Sequence, residues 1–394
     1  MPAPAIPAFL LTLCRFLNPD RSSAVFYSPA MQLNTQPLSE WIPGVKHPLI
    51  ISGPCGAETE EQVIQTARGI AALGKVSVFR AGIWKPRTRP NSFEGAGPQA
   101  FAWLGRVKTE TGLLTTVEVA TAEHVELALK HGVDILWIGA RTTVNPFSVQ
   151  EIAEALKGVD IPVMVKNPVH ADIQLWIGAL ERLNLAGITK LAAIHRGFYT
   201  SDKTCYRNIP RWEIPIDLQT QYPALPIICD PSHICGRTET IQGVAQKALD
   251  LNMAGLMIET HVNPQAALSD AKQQLTPLAL GILLDSLKVR NVTSANKAFT
   301  DQLEQLRVMI DEIDEQMIRT LAQRMKMINR VGEYKRDNNV TVFQLERWQE
   351  ILKSRMAMGI IQGLDENFVK EVCELLHKES IRRQTEITQV GKPR

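Results

Sequence analysis

The chain lacks the features that would assign it most quickly. There is no Cys-x-x-Cys pair and no disulfide-framework spacing. The six cysteines (Cys14, Cys55, Cys205, Cys229, Cys235 and Cys373) are scattered over 394 residues. A disulfide scaffold is therefore excluded, and a reduced, cytoplasmic protein fits better. Net charge is nearly absent, +2 from 43 basic and 41 acidic residues. No global field recommends a nucleic-acid or membrane partner, so any basic site must be a local concentration of charge. The apolar run at residues 6–13 is far short of a membrane span. No basic stretch precedes it and no good cleavage site follows it, so a secretory signal is not expected. No Gly-x-Gly-x-x-Gly follows the first strand-like run, which weakens a dinucleotide-binding reading.

What is present begins with organisation. Apolar content of 45% suits a globular protein with a real core, and the length suits two domains. Residues 1–40 read as a poorly ordered N-terminal extension, with Met31 a candidate natural start. From Pro48, strand-like runs near 48–52, 76–80, 113–119, 134–139, 161–166, 188–194, 226–229 and 255–259 alternate with helical patterns. Among these are 59–73, 121–131, 147–157, 170–183, 237–251 and 274–288. Strands alternating with helices imply a parallel sheet. Eight such units in roughly 240 residues suit a closed (β/α)8 TIM barrel over 41–288, with an open doubly wound sheet as the alternative.

A barrel should gather function where strands end and the following loops begin. The charged residues obey that rule. Arg80 and Lys85 follow strand 2, Glu118 ends strand 3, Arg141 follows strand 4, Lys166 ends strand 5 and Arg196 follows strand 6. Cys55 lies just past strand 1, His233 follows strand 7, Glu259 ends strand 8 and Asp270 lies in the loop beyond. Strands 1, 7 and 8 are neighbours once a barrel closes. Cys55, His233, Glu259 and Asp270 therefore read as an S/N/O site for one divalent metal ion such as Mn, Fe, Co or Zn. Opposite them are expected Arg80, Lys85, Arg87, Arg141, Lys166 and Arg196. Six cations at one mouth would repel one another without a polyanionic substrate, or two. Four basic residues (Arg80, Lys85, Arg87 and Arg89) crowd the single stretch Phe79–Gly97, whose glycines and prolines mark it as a loop.

After about Lys288 the pattern changes. Residues 289–300 are polar and linker-like, and 301–390 read as a helical domain. From Ala298 to Asp337 there is no proline and only Gly332. Apolar residues recur at Leu303, Leu306, Ile310, Ile313, Met317, Leu321, Ile328 and Val331, as in one amphipathic helix of about 40 residues. At ~1.5 Å per residue that helix is roughly 60 Å long, too long for a small domain to cover alone. Two more helical patterns, 343–357 and 365–388, complete a three-helix unit that must pair with something. Arg324 and Lys335 share a face close to the apolar stripe. Arg307, about 25 Å before Arg324, is placed to serve a second chain packed antiparallel. Ser380 and Gln384 are one turn apart on the last helix.

These residues carry two resemblances. The barrel, from about Trp41 to Leu287, resembles 3-deoxy-D-arabino-heptulosonate-7-phosphate (DAHP) synthase of the shikimate pathway, in its type I-beta form. The motifs are Gly53-Pro54-Cys55, Lys85-Pro86-Arg87-Thr88, Ile138-Gly139-Ala140-Arg141-Thr142, Asp230-Pro231-Ser232-His233, Gly255-Leu256-Met257-Ile258-Glu259 and Leu268-Ser269-Asp270. The region from about Leu303 to Ile387 resembles the all-helical class of chorismate mutase, through Arg307, Arg324, Lys335, Arg347, Ser380 and Gln384.

The first resemblance implies a metal-dependent condensation of phosphoenolpyruvate with erythrose 4-phosphate. Arg80, Lys85, Arg141, Lys166 and Arg196 would hold phosphoenolpyruvate, and Arg87 and Thr88 the sugar phosphate. Lys85 would move a proton and Glu118 orient water. The second implies conversion of chorismate to prephenate in a homodimer. Lys335 and Gln384 would face the breaking ether, Arg324 and Arg347 the carboxylates, and Arg307 would arrive from the partner chain. Trp348 stands where that family often has an acidic residue directed at the substrate hydroxyl. The fusion implies feedback, with prephenate or chorismate at the helical domain inhibiting the barrel. Two alternatives stand beside this reading. One is a related aldolase acting on arabinose 5-phosphate, against which Pro86-Arg87 argues. The other is a helical domain that only binds and dimerises.

Overall fold

The computed structural model describes residues 31–389, apart from 43, 86–92 and 202. The chain divides into two compact units that part between Val292 and Thr293. No helix among the described residues is long and apolar enough to cross a membrane.

The first unit is a barrel of eight parallel strands in chain order. They are β1 (Leu49–Gly53), β2 (Val78–Arg80), β3 (Leu114–Val119), β4 (Ile135–Ile138), β5 (Val163–Lys166), β6 (Leu191–His195), β7 (Ile227–Cys229) and β8 (Gly255–Glu259). β1 pairs with β8 from Leu49 opposite Gly255 to Gly53 opposite Glu259, which closes the ring and excludes the open-sheet alternative. Side chains alternate as strand geometry demands. Leu49, Ile51, Ile135, Trp137, Met164, Ile194, Ile228 and Met257 fill the barrel interior. Ile50, Leu136, Ile138, Val163 and Val165 face the outer helices.

A short helix, α1 (Leu38–Trp41), brings Trp41 and Ile42 onto the interior cluster, beside Leu49 and Ile135 at the starts of their strands. The N-terminal end of the barrel is thereby plugged, and the C-terminal end is left for chemistry. Residues 31–40 also belong to this unit. Leu33 is buried, and Asn34 and Gln36 donate backbone N–H groups to Asn184 Oδ1 and Thr189 O.

The outer helices are α2 (Glu60–Ala71), α3 (Ala100–Thr111), α4 (Ala122–Lys130), α5 (Ala140–Thr143), α6 (Pro146–Ala155), α7 (Ile173–Leu185), α8 (Glu213–Gln221), α9 (Pro231–Cys235), α10 (Ile241–Asp250) and α11 (Pro277–Ser286). Several start where the sequence supplies an oxygen cap. Thr59, Thr121, Asn145, Asp172 and Thr276 each accept a first-turn N–H. The patterns over 121–131 and 274–288 correspond to α4 and α11. α3 and α8 were not singled out by periodicity, and α8 begins only after a long irregular loop from β6.

The second unit holds three helices: α12 (Lys297–Asp337), α13 (Leu345–Ile361) and α14 (Glu366–Gln389). Asn296 caps α12 by accepting from Phe299 N–H. The long, proline-free pattern thus forms one helix of 41 residues. Only its C-terminal half is covered, and Met325 and Gly332 are its only buried residues. Gly332 lies against Gln384 and Ile387 of α14, and Gly359 of α13 lies against Val369. Leu306, Ile310, Ile313 and Met317 of the N-terminal half are each more than half exposed.

Candidate active site

The C-terminal rim of the barrel is built by strand termination. Arg80, Lys166 and Glu259 are the last residues of β2, β5 and β8. Alternation aims these three side chains at the barrel axis. Cys55, Arg141, Arg196 and His233 follow within one turn of β1, β4, β6 and β7.

Cys55 Sγ and one carboxylate oxygen each of Glu259 and Asp270 lie within 4.8 Å of one another. Asp270 Oδ2 is 3.5 Å from Cys55 Sγ. His233, the fourth expected ligand, is not in that close group but lies beside it on α9, its Nε2 3.7 Å from Glu259 Oε1. The ring is oriented by a group that sequence reasoning passed over. Asp230, fully buried, lies 3.0 Å from His233 Nδ1 through Oδ1. A proton on Nδ1 then leaves the Nε2 lone pair toward the donor cluster, as in metal-ligating histidines. Glu259 Oε1 is buried and accepts no hydrogen bond, although Arg80 Nη2 lies 3.1 Å away. Burial, then the charges of Glu259 and Asp270, push the Cys55 thiol up to about 12. A thiol so raised gives up its proton when a cation takes its place. The donor set of sulfur, nitrogen and two carboxylates, with one orphaned buried oxygen, fits a divalent transition metal.

The cations do not form a separate wall opposite these donors, as the sequence suggested. They interleave with them, because charges this deep must be paired. Lys85 Nζ lies 2.9 Å from Cys55 Sγ and 2.7 Å from Cys55 O. Arg80, 1% exposed, lies beside Glu259 and 5.0 Å over the Trp137 ring. Lys166 is paired with Asp230 at 2.8 Å. Burial opposes the Asp230 carboxylate, but His233 and Lys166 hold it well below the usual range. Asp270 is likewise held low. Its burial is outweighed by His233, Arg207 and Lys85.

Above these pairs opens a cavity of about 340 Å³ lined by Lys85, Glu118, Arg141, Lys166, Arg196, Arg207, His233 and Asp270. Arg80 is not among its lining residues and lies beneath it. Burial lowers Arg196 to about 10, which leaves it charged at neutral pH, and it donates to Asn208 Oδ1 at 3.1 Å. Glu118 accepts from Trp137 Nε1 at 3.1 Å. Its carboxylate lies over Gly139, where any added Cβ would overlap Oε1. A side chain there would have to push the carboxylate aside. Arg87 and Thr88, expected on the sugar phosphate, lie outside the described residues.

In the helical unit, three of the six expected residues, Arg324, Ser380 and Gln384, meet on the seam of α12 and α14. Arg324 Nη1 donates to Ser380 Oγ at 2.8 Å, and Gln384 Nε2 to Ser380 O at 3.2 Å. Gln384 Oε1 is buried without a partner. Lys335, one turn beyond Gly332, donates to Val342 O at 2.6 Å. Burial lowers the pKa of both Arg324 and Lys335. The other two residues stand apart. Arg307 has a 64% exposed side chain and lies 3.7 Å from Glu304. Arg347, 61% exposed, pairs with Glu350 at 2.6 Å. Trp348 stacks on His377 with ring centroids 4.0 Å apart.

Sequence reasoning missed Asp230, Trp137, Arg207, Asn208 and Gln273. Asp230 had a signal, since it opens the quoted motif three residues before His233. Arg207 and Asn208 had none, because they belong to the irregular loop between β6 and α8.

The chain matches the family model of the DAHP synthetase I family over residues 31–296 and that of chorismate mutase type II over residues 306–385. A phospho-2-dehydro-3-deoxyheptonate aldolase of Thermotoga maritima is 31% identical over 57% of this chain. The match spans 64% of that relative's length. A 2-dehydro-3-deoxyphosphooctonate aldolase of Acidithiobacillus ferrooxidans is 26% identical, over 58% of this chain and 84% of its own. The crystal structure of a Thermotoga maritima DAHP synthase matches with a TM-score of 0.55 and 30% identity, covering 60% of this chain and 67% of that one.

Proposed function

This chain belongs to the DAHP synthetase I family, and on that premise we propose a bifunctional enzyme of aromatic biosynthesis. Its barrel would condense phosphoenolpyruvate with erythrose 4-phosphate to DAHP and phosphate, and its helical unit would rearrange chorismate to prephenate. The observation that carries the first activity is the Cys55–Glu259–Asp270 cluster with Lys85 on the thiol, beneath a cavity rich in cations.

Cys55, His233, Glu259 and Asp270 would hold one divalent metal ion. When bound, such an ion supplies Lewis-acid polarisation of an aldehyde oxygen. Arg141, Lys166 and Arg196 bind the enol phosphate from the cavity wall, with Arg80 setting the charge below. Arg87 and Thr88 are assigned to the sugar phosphate from sequence alone. The methylene carbon of the enol adds to the aldehyde carbon, water adds to the enol carbon, and phosphate leaves. Lys85 supplies the proton to the new alkoxide. Glu118, held by Trp137, orients the water.

The second reaction breaks and makes bonds in one concerted step. Catalysis there means holding a compact conformer and stabilising charge on the ether oxygen. Lys335 and Gln384 face that oxygen, and Arg324 and Arg347 take carboxylates. Arg307 comes from a second copy, which the uncovered stripe of Leu306, Ile310, Ile313 and Met317 favours. Prephenate or chorismate bound on this unit would inhibit the barrel. If an Arg324→Ala variant kept full prephenate inhibition of condensation, that regulatory reading would fail.

Both activities are tested by phosphate release from phosphoenolpyruvate, with and without chelator, and by loss of chorismate absorbance. Consumption of arabinose 5-phosphate in preference to erythrose 4-phosphate would overturn the barrel assignment. Trp348, packed on His377 beside Arg347, favours one second reading, a helical unit that binds chorismate without turning it over. Chorismate binding with no prephenate formed would select it.

A further inference from the structure

Each of the two metal-directed carboxylates is gripped by one oxygen and presents the other. Asp270 Oδ1 accepts from Arg207 Nη1 at 3.0 Å, while Oδ2 lies 3.5 Å from Cys55 Sγ. Glu259 Oε2 accepts from Gln273 Nε2 at 2.7 Å, while Oε1 accepts no hydrogen bond and lies between Arg80 Nη2 at 3.1 Å and His233 Nε2 at 3.7 Å. The two grips are one network. Arg207 Nη1 also donates to Gln273 Oε1 at 2.8 Å. That bond fixes the Gln273 amide with its nitrogen toward Glu259. A flipped amide would set donor against donor at Arg207 and acceptor against acceptor at Glu259.

We propose that Arg207 and Gln273 are positioning residues that aim Asp270 and Glu259 at the metal, an assignment that rests on the metal centre proposed above. The backbone is shaped for the same contacts. Asp270 holds a left-handed conformation (φ 49, ψ 37) that a non-glycine residue adopts at a cost. Gln273 N–H closes the turn on Asp270 O at 3.2 Å. On the other side Gly236, at φ +67, leaves room for the arginine stem, since any Cβ there would overlap Arg207 Cβ. An arginine from the loop after β6 thus reaches both carboxylates of the loop after β8. It contacts Asp270 directly and Glu259 through a side chain 1% exposed. Arg207 lines the same cavity as Arg141 and Arg196, with its Nη1 committed to the two acceptors Asp270 Oδ1 and Gln273 Oε1.

The test uses full-length protein, stripped of metal and titrated with Co(II). The readouts are the thiolate-to-cobalt absorbance and, at saturating metal, steady-state kinetics. Wild type should show the absorbance. Arg207→Ala should weaken Co(II) binding about 10- to 100-fold, the range for groups that orient metal ligands. Arg207→Lys should recover part of that loss. At saturating Co(II), KM for phosphoenolpyruvate should stay within about twofold, because uniform substrate binding is untouched. Gln273→Met should weaken Co(II) binding while leaving Arg207 in place.

Unchanged cobalt affinity in Arg207→Ala, with KM raised tenfold or more, would overturn the proposal and make Arg207 a substrate-anion residue. A collapse of the metal-free thermal midpoint in both Arg207 variants would overturn it too, by making the residue structural. Failure of wild type itself to develop the cobalt absorbance would sink the metal reading, and this inference with it.

Discussion

The two units build their sites by opposite routes. At the barrel mouth the described candidate groups are largely fixed by partners within one chain. Arg80 is set beside Glu259, Lys166 on Asp230, Lys85 on Cys55 and Arg207 on Asp270. The seam of α12 and α14 is half built. Arg324, Ser380 and Gln384 converge and Lys335 is tied to Val342 O, but Arg307 and Arg347 lie in solvent on weak local pairs. The difference follows from architecture. A closed barrel supplies eight strand ends around one axis, so a single chain can surround a ligand. The helical unit covers only part of its 41-residue helix, and the uncovered apolar stripe is where the proposed second copy would pack. A self-contained site should respond to mutation one residue at a time. A shared site should also respond to dilution and to mixing.

The largest effect should come from the barrel. Lys85→Ala should lower condensation roughly 10²- to 10⁴-fold, the span for a lost proton-transfer group, and leave chorismate turnover unchanged. A discontinuous assay of both activities on one preparation reads this directly. A parallel fall in both would mean that the two sites are not independent. Next comes Arg324→Ala, which should lower chorismate turnover by about 10²- to 10³-fold, as for other donors on developing charge, and spare condensation.

The shared-site claim is sharper in a mixing experiment. Arg307→Ala and Arg324→Ala should each be nearly inactive on chorismate. Unfolded together and refolded, they should regain about a quarter of wild-type turnover, because each mixed two-fold dimer contains one intact site. No recovery from a folded, dimeric mixture would place both arginines in the same chain's pocket. Recovery would break the parallel with the barrel, where mixing Lys85→Ala with Arg141→Ala should restore nothing.

Much of this was legible in advance, and the failures have physical causes. The alternation of strand and helix patterns placed all eight strands, since parallel strands buried on both faces read as continuous apolar runs such as residues 49–51 and Ile135–Ile138. The rim residues followed from strand ends alone. Strand order could not reveal that cations and carboxylates interleave. Depth decides that, and the depth of Arg80 depends on Trp137 beneath it. Arg207 was invisible because an irregular loop has no period. Gln273 looked like any polar loop residue until its two amide atoms were seen to face different charges. In the helical unit, charge spacing on a single helix was enough to separate Arg307 from Arg324, because a helix is its own ruler.

The smallest effect concerns pH. Burial lowers the pKa of Lys335 below that of an ordinary lysine, and no acidic partner among the described residues offsets it. If its ammonium donates to the ether oxygen as proposed, kcat/KM for chorismate should fall on the alkaline side, earlier than a free lysine would titrate. That limb reports the free enzyme, because the dianionic substrate raises the same pKa once bound. The sign for stability is opposite. Between the lowered folded pKa and the higher unfolded one the unfolded state holds more protons, so stability contributed by this group rises with pH. Activity lost while thermal midpoint holds or climbs would identify titration of Lys335, and activity lost together with the midpoint would identify unfolding of the seam. Lys335→Gln should flatten the limb at reduced turnover. Arg324, though also lowered by burial, stays charged across this range and cannot produce it.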